Sequence, residues 1–110
     1  MSPISHYKVG EKAKTDCLRV ALTDKSLQYV DVSAGDRVRV LDCGESVLVV
    51  PASHRSLTTV LAEYGVSGSS GSLQTNLFTP ALAPLDVSPG DRVETFNQPV
   101  GIEVARRDPK

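Results

Sequence analysis

VDVSAGDRVRV, from Val30 to Val40, returns almost unchanged as LDVSPGDRVET, from Leu85 to Thr95. Aligning the chain on itself at this offset of 55 residues needs no gap between residues 18–49 and 73–104, and eleven of the thirty-two positions are identical. This level of identity within 110 residues indicates an internal duplication. Two copies of this length do not match the many shorter repeats of a solenoid, so we expect one small domain built from two equivalent halves.

Both copies have the same predicted elements. An alternating stretch of apolar and polar residues is typical of a half-buried strand, and a short helical turn follows it. Asp24 and Thr79 are predicted N-caps of the two turns, with Pro80 at the first helical position of the second. The predicted strands are 18–22, 37–41 and 46–50 in the first copy and 73–77, 92–96 and 101–105 in the second, with an additional strand around 6–14.

The segment between the copies has a different pattern. SHRSLTTVLAEYG, residues 53–65, has apolar residues at i, i+3, i+4 and i+7 and ends at a glycine, which predicts a short amphipathic linker helix. GVSGSSGS, residues 65–72, is predicted to be a flexible tether. The expected organisation is a single domain, 1–110, with repeat 1 at about 16–51, the linker helix and tether at 53–72, and repeat 2 at about 71–105.

The repeated Gly-Asp pair suits the passage from the helical turn to the next strand. Glycine reaches positive φ without a steric penalty, so Gly35 and Gly90 are predicted to make a tight reversal. An aspartate directly after the glycine can accept hydrogen bonds from nearby backbone N–H groups. Asp36 and Asp91 are therefore predicted to have a structural role in these loops.

The composition limits the class of protein. The formal net charge is −1, yet residues 1–41 carry seven Lys and Arg against five Asp and Glu, whereas the remaining residues carry five against eight. No stretch approaches the roughly 20 apolar residues of a membrane span, and residues 1–10 lack a signal-peptide pattern. We therefore expect a cytoplasmic protein with no membrane contact and with its basic residues concentrated in the first copy.

The sequence does not indicate a catalytic, metal or cofactor site. Cys17 and Cys43 lack the spacing and the neighbouring histidines of a zinc site, so both are predicted to be free thiols. His54 follows Ser53 in a segment that fits a capped helix start better than a nucleophile and base pair. We therefore expect no enzyme activity, no metal and no cofactor.

The alternating strand, the short helix and the phrase from Val32 to Val38, with its copy, resemble the AbrB/MazE/SpoVT family. The resemblance covers residues 16–51 and 71–105 and extends to the wider group of cradle-loop barrels that share the Gly-Asp loop. It implies a β-rich fold, between all-β and α+β. The expected architecture is a small pseudo-twofold β-barrel of two strand, short helix and hairpin repeats, joined here in one chain, with a linker helix.

The resemblance also implies DNA binding, and transcriptional regulation is the main hypothesis. In the family, basic residues in the N-terminal strand region and around the first strand-to-helix junction make the DNA contacts. Comparable positions here, continued along the following strand, are Lys8, Lys12, Lys14, Arg19, Lys25, Arg37 and Arg39. The second copy has lost several of these charges, so it is predicted to be mostly scaffold.

A protein-interaction module is the alternative function. Related barrels serve as antitoxin-like dimerisation domains or as adaptor domains, and neither role requires a basic surface. The net charge near zero and the small number of aromatic residues suit that role as well. The chain is expected to be a monomeric pseudo-dimer or a homodimer, and its partner would be DNA or another protein.

Overall fold

The fold is β-rich, as the sequence predicts, and the helices among the described residues are single turns. A computed structural model describes residues 3–11, 18–54, 58–69 and 72–107. The helices are α1 (Asp24–Leu27) and α2 (Thr79–Leu82), the second followed by a 3-10 turn at Ala83–Leu85. The strands are β1 (Ser5–Lys8), β2 (Gly10–Glu11), β3 (Leu18–Thr23), β4 (Arg37–Asp42), β5 (Ser46–Pro51), β6 (Val60–Gly65), β7 (Ser67–Ser69), β8 (Ser72–Phe78), β9 (Arg92–Gln98) and β10 (Gly101–Arg106).

The strands form two antiparallel sheets, and the closed barrel of the prediction is not formed. The strand orders are β1-β9-β10-β5-β4-β6 and β2-β3-β8-β7. β1 runs into β2 through Val9, and β6 runs into β7 through Val66, so each of these strands bends out of one sheet into the other. The hydrogen-bonded ladders end at these bends, and the two sheets share one core that includes both valines.

The two copies exchange their first strands. β1 of the first copy pairs with β9 of the second, and β6 of the second copy pairs with β4 of the first. The register repeats at an offset of 57 in these strands, since His6 lies opposite Glu94 and Glu63 lies opposite Arg39. The duplication therefore includes an additional strand in each copy, and two fewer residues separate that strand from the rest of the second copy than from the rest of the first.

Two ladders lie on the pseudo-twofold axis and join the copies directly. β3 pairs with β8, and β5 pairs with β10. The pairs at the axis are Ala21 with Asn76 and Leu48 with Glu103, and each pair is mapped onto itself by the offset of 55. The interface between the copies is thus continuous sheet, and its inner face carries buried apolar side chains from both copies such as Val49 and Ile102.

The predicted linker helix is wrong at Val60–Gly65, which form strand β6. Residues 55–57 of that prediction lie outside the described residues. The flexible tether is also wrong at Ser67–Ser69, which pair with β8 as strand β7. The apolar residues of this segment fit a helical spacing, but the segment also has a period-2 pattern typical of a strand. Pairing with the edge of β4 favours the strand. The side chains of that pattern belong to the core or pack against it, and they are Ala62, Tyr64 and Val66.

The helical turns begin as predicted, within one residue. Asp24 and Thr79 are the first helical residues, and the N-caps are Thr23 and Phe78, neither of which makes a side-chain cap hydrogen bond. The Thr79 hydroxyl instead accepts a hydrogen bond from the Leu18 N–H at 2.8 Å, which joins α2 to the first copy.

Candidate nucleic-acid interface

The structure does not bring the five described residues of the predicted basic set together on one surface. Lys12 and Lys14 lie outside the described residues. The other five lie on β1 (Lys8), β3 (Arg19), α1 (Lys25) and β4 (Arg37 and Arg39). β1 and β4 are the first and fifth strands of the six-stranded sheet, so they are about 19 Å apart at the usual strand spacing. β3 belongs to the other sheet.

Arg37 and Arg39 are both paired with one carboxylate. The Nε of Arg37 donates to Glu63 at 2.6 Å, and the Nε of Arg39 donates to the other carboxylate oxygen of Glu63 at 3.0 Å. Hydrogen bonds from Arg37 and then from Arg39 lower the pKa of the Glu63 carboxyl below its usual range. These two arginines therefore carry less free positive charge than the sequence implies.

The lowered pKa of Glu63 makes an acid-sensitive contribution to stability. A carboxyl whose folded pKa is below its unfolded value stabilises the fold above the unfolded pKa, about 4.3, and this contribution is lost as the pH falls through the folded pKa. The melting temperature should fall between neutral and acid pH in the unmodified chain. We expect this fall to be smaller in Glu63→Gln. Glu45→Gln, at an exposed turn position, is the matched control, and an equal acid sensitivity in all three proteins would contradict the assignment.

A row of three cations crosses the opposite end of the same sheet. Lys8 on β1 lies directly opposite Arg92 on β9. The Arg107 N–H donates to the Arg92 carbonyl at 2.8 Å, which continues the β10 register by one residue and puts Arg107 opposite Arg92 on the other side. Directly opposed residues project from the same face of a sheet, and all three residues are exposed. We call this set the cation row.

The cation row has no acidic partner among the described residues. Two residues along the same strands, His6 Nδ1 lies 3.3 Å from the Glu94 carboxylate. Like charges placed directly opposite each other on neighbouring strands destabilise a sheet. Repulsion within the cation row therefore lowers the stability of the fold, and a bound polyanion would relieve this repulsion.

The corresponding positions of the first copy do not form such a row. The counterpart of Arg92 is Arg37, which lies opposite Gly65 on β6 and receives a backbone hydrogen bond from Ala52 at 2.9 Å. Arg37 is therefore the single cation at this place in the first copy, and its charge is paired with Glu63. In the second copy, Arg92 lies between two further cations. The second copy, predicted to be scaffold, supplies two of the three cations in the row.

The Gly-Asp loops hold the bent strands in place, including the strand that carries Lys8. Gly90 has a φ of +95°, and its N–H donates to the Val9 carbonyl at 2.9 Å. The Val9 N–H in turn donates to the Asp91 carbonyl at 2.8 Å, and the Asp91 carboxylate accepts from the Ser88 N–H at 2.9 Å. Each Gly-Asp loop therefore forms backbone hydrogen bonds with the bend in the first strand of the other copy.

The loop of the first copy has the same contacts. Gly35 has a φ of +93° and donates to the Val66 carbonyl at 2.8 Å, while the Asp36 carboxylate accepts from the Ser33 N–H at 2.9 Å. The recurrence of the Gly-Asp phrase thus coincides with the recurrence of one loop contact at the two bends.

Sequence reasoning missed Arg92 and Arg107. Arg92 matches Arg37 in the repeat, and Arg107 lies just past the end of the aligned region. A charge count along the chain does not place either of them beside Lys8. Only the exchange of β1 into the sheet of the second copy does so.

The described residues offer little for other kinds of site. They contain no group of three His, Cys, Asp or Glu side chains placed to hold a metal ion. Cys43 is an exposed free thiol whose pKa is raised by partial burial and then by the nearby Glu103 and Asp42 carboxylates. Cys17 lies outside the described residues. Within the same ranges, no helix has the length and apolar character required to cross a bilayer.

Comparisons of the chain with protein-family models, with curated proteins and with solved structures find no match.

Proposed function

We propose that this chain is a DNA-binding protein that acts in transcriptional regulation and contacts the phosphate backbone through Lys8, Arg92 and Arg107. The observation that carries the proposal is the cation row, which is exposed, unpaired within the described residues and set on a hydrogen-bonded sheet. The sequence resemblance to the AbrB/MazE/SpoVT family, most of whose members bind DNA, supports the same function.

The physical basis is the release of counterions from DNA. Each phosphate neutralised by a Lys or Arg side chain releases condensed counterions, so affinity depends on the number of charges placed against the backbone. The row spans about 10 Å across three strands, which allows simultaneous contacts to neighbouring phosphates. Contacts of this kind orient a protein on DNA without reading bases, so the row itself supplies affinity and not sequence preference.

Lys25 and the two lysines outside the described residues, Lys12 and Lys14, remain predicted contacts in this proposal. Lys25 belongs to α1, and it lines the same groove as His6 and Tyr7 of β1, so it can extend the basic surface beyond the row. Arg37 and Arg39 do not belong to the proposed surface. Both are paired with Glu63, and their strand, β4, lies four strands away from β1.

A salt titration tests the proposed function. With three phosphate contacts, the affinity for duplex DNA should fall roughly 40-fold between about 50 and 200 mM salt. The measurement is fluorescence anisotropy with a short labelled duplex of mixed sequence, with the solution mass of the protein recorded on the same sample. Affinity that does not depend on salt, or no binding at the lower salt, would contradict the proposal.

The alternative is a protein-interaction module that does not bind nucleic acid. The neutralisation of Arg37 and Arg39 by Glu63 favours it, because it reduces the free positive charge of the described surface. The same titration separates the two functions, and the recorded mass distinguishes a monomeric pseudo-dimer from a homodimer.

A further inference from the structure

A groove with both polar and apolar lining opens beside the cation row, between β1, the start of α1 and the start of β8. Its volume is about 530 Å³, within the range of roughly 300 to 1,000 Å³ that small-ligand sites occupy. The side chains used in the argument below are those of His6, Tyr7, Thr23, Asp24, Lys25 and Gln74.

The second copy has an aromatic ring at the position that corresponds to Thr23 of this groove. Tyr64 is the counterpart of Tyr7, and Phe78 is the counterpart of Thr23. The Tyr64 and Phe78 rings are in edge-to-face contact, with centroids 5.7 Å apart and planes at 68°. In the first copy the smaller Thr23 side chain stands at this position, where it lines the groove with its hydroxyl 3.2 Å from the Tyr7 hydroxyl.

Positions 23 and 78 have the same backbone conformation, so the difference between them lies in the side chain. Thr23 has a φ of −111° and a ψ of −179°, and Phe78 has a φ of −110° and a ψ of −178°. The N–H of Thr23 donates to the Tyr7 hydroxyl at 3.3 Å, and the N–H of Phe78 donates to the Tyr64 hydroxyl at 3.3 Å. A phenylalanine at position 23 is therefore compatible with the local backbone, and the Tyr7 hydroxyl, which would lose Thr23 Oγ1 as a partner, keeps its 2.8 Å hydrogen bond with Ser26.

The lining of the groove combines charged, amide and apolar groups. Lys25 offers an ammonium to an anion, Asp24 offers acceptors to an amino group, and Gln74 offers both a donor and acceptors. Tyr7 and Leu73 supply apolar surface. This combination suits a phosphorylated, amino-bearing heterocycle, since unpaired bases are recognised by apolar or aromatic contact together with hydrogen bonds to their edges.

We propose that this groove binds an unpaired nucleotide, so that the chain prefers single-stranded to duplex DNA. The inference rests on the proposed function, because His6 of the groove and Lys8 of the cation row are alternate residues on the outer face of β1. Alternate strand residues are about 7 Å apart, so a nucleic-acid strand with its phosphates on the row brings an adjoining nucleotide to the groove.

The test closes the groove with the side chain that the second copy uses. Affinities for a short single strand and for a duplex of the same sequence are measured for the unmodified chain, for Thr23→Phe and for Thr23→Ser. We expect the unmodified chain and Thr23→Ser to bind the single strand on the order of tenfold more tightly than the duplex. Thr23→Phe should lose that preference and keep the duplex affinity, which also shows that it is folded.

A second probe separates the groove from the cation row. Adenosine monophosphate should shift the NMR signals of Lys25 and Gln74 in the unmodified chain, and Thr23→Phe should abolish these shifts. Lys25→Gln, at an exposed position, should weaken binding of the same probe. If Thr23→Phe changes neither the single-strand preference nor the response to the mononucleotide, the groove proposal is wrong.

The outcome for the proposed function can be read from the same data. Duplex binding that responds to salt but shows no preference for the single strand and no effect of Thr23→Phe would leave the proposed function standing and overturn the groove. A mononucleotide response that Thr23→Phe abolishes, in a chain that binds no DNA, would support the groove and overturn the proposed function.

Discussion

Changing Lys8, Arg92 and Arg107 together to glutamine is expected to lower the affinity for duplex DNA on the order of 10³-fold at about 50 mM salt. Each side chain that neutralises a phosphate contributes about one decade of affinity at this salt concentration. The slope of log affinity against log salt should fall by about 2.7 in the triple variant. The measurement is an anisotropy titration at several salt concentrations.

The pseudo-symmetry of the fold provides a matched control. Arg37→Gln removes the same charge as Arg92→Gln from the equivalent strand position, but Arg37 is paired with Glu63 and lies outside the row. We expect Arg92→Gln to reduce DNA affinity about tenfold and Arg37→Gln to have a much smaller effect. Equal losses in the two variants would show that overall charge, and not the row, determines binding.

The same variants should have opposite effects on stability. Removing Arg92 relieves repulsion from two directly opposed cations, so Arg92→Gln is expected to leave the free energy of unfolding unchanged or to raise it slightly at low salt. Arg37→Gln removes one hydrogen-bonded partner of Glu63 and should lower it. A loss of DNA binding in Arg92→Gln therefore cannot be attributed to unfolding.

Gly101→Ala is expected to lower the free energy of unfolding by roughly 2 to 4 kcal/mol. Gly101 begins β10, and a Cβ built there overlaps the Val49 carbonyl oxygen and lies 3.1 Å from the carbonyl carbon. The obstructing atoms are backbone atoms of β5, which cannot move without breaking the ladder that joins the two copies. Typical domains are stable by only 5 to 15 kcal/mol, so the loss should be evident in urea unfolding.

Gly65→Ala is the control for this prediction. Gly65 also lies in a strand, but a Cβ there meets only the Arg37 guanidinium at 3.9 Å, an ordinary contact. We expect Gly65→Ala to change the free energy of unfolding by no more than about 1 kcal/mol. Alanine fits this strand conformation, and it lowers the conformational entropy of the unfolded chain. If the two variants proved equally stable, β5 and β10 would have to be further apart than described.

Much of the strand content could be predicted from the sequence because period-2 patterns and Gly-Asp turns act locally. The strands beginning at Arg37, Ser46, Arg92 and Gly101 start at the predicted residues. The segment at Val60–Gly65 could not be assigned in this way, since its apolar residues fit a helix and a strand about equally. Pairing with β4, which joins residues 19 to 28 positions apart, decides between them.

The candidate site was harder to predict than the fold because it depends on which strands are neighbours. Lys8 could be proposed from its position near the N-terminus, whereas Arg92 and Arg107 belong to the copy that had lost basic residues. The offset of 57 for the first strands, against 55 elsewhere, hides the equivalence of Tyr7 and Tyr64 from a gap-free comparison. A comparison that allows a two-residue gap would align these tyrosines and the Tyr-x-Val pattern that each of them begins.

The exchange of β1 and β6 has a consequence for how the molecule comes apart. Each copy lends a strand to the sheet of the other, and β3–β8 and β5–β10 join the copies as well, so neither copy has a complete sheet of its own. The domain should behave as a single cooperative unit, with no folded half as an intermediate. Two fragments divided at the connection between the copies would each be unstructured alone. They would fold on mixing, because each fragment supplies strands that pair with those of the other.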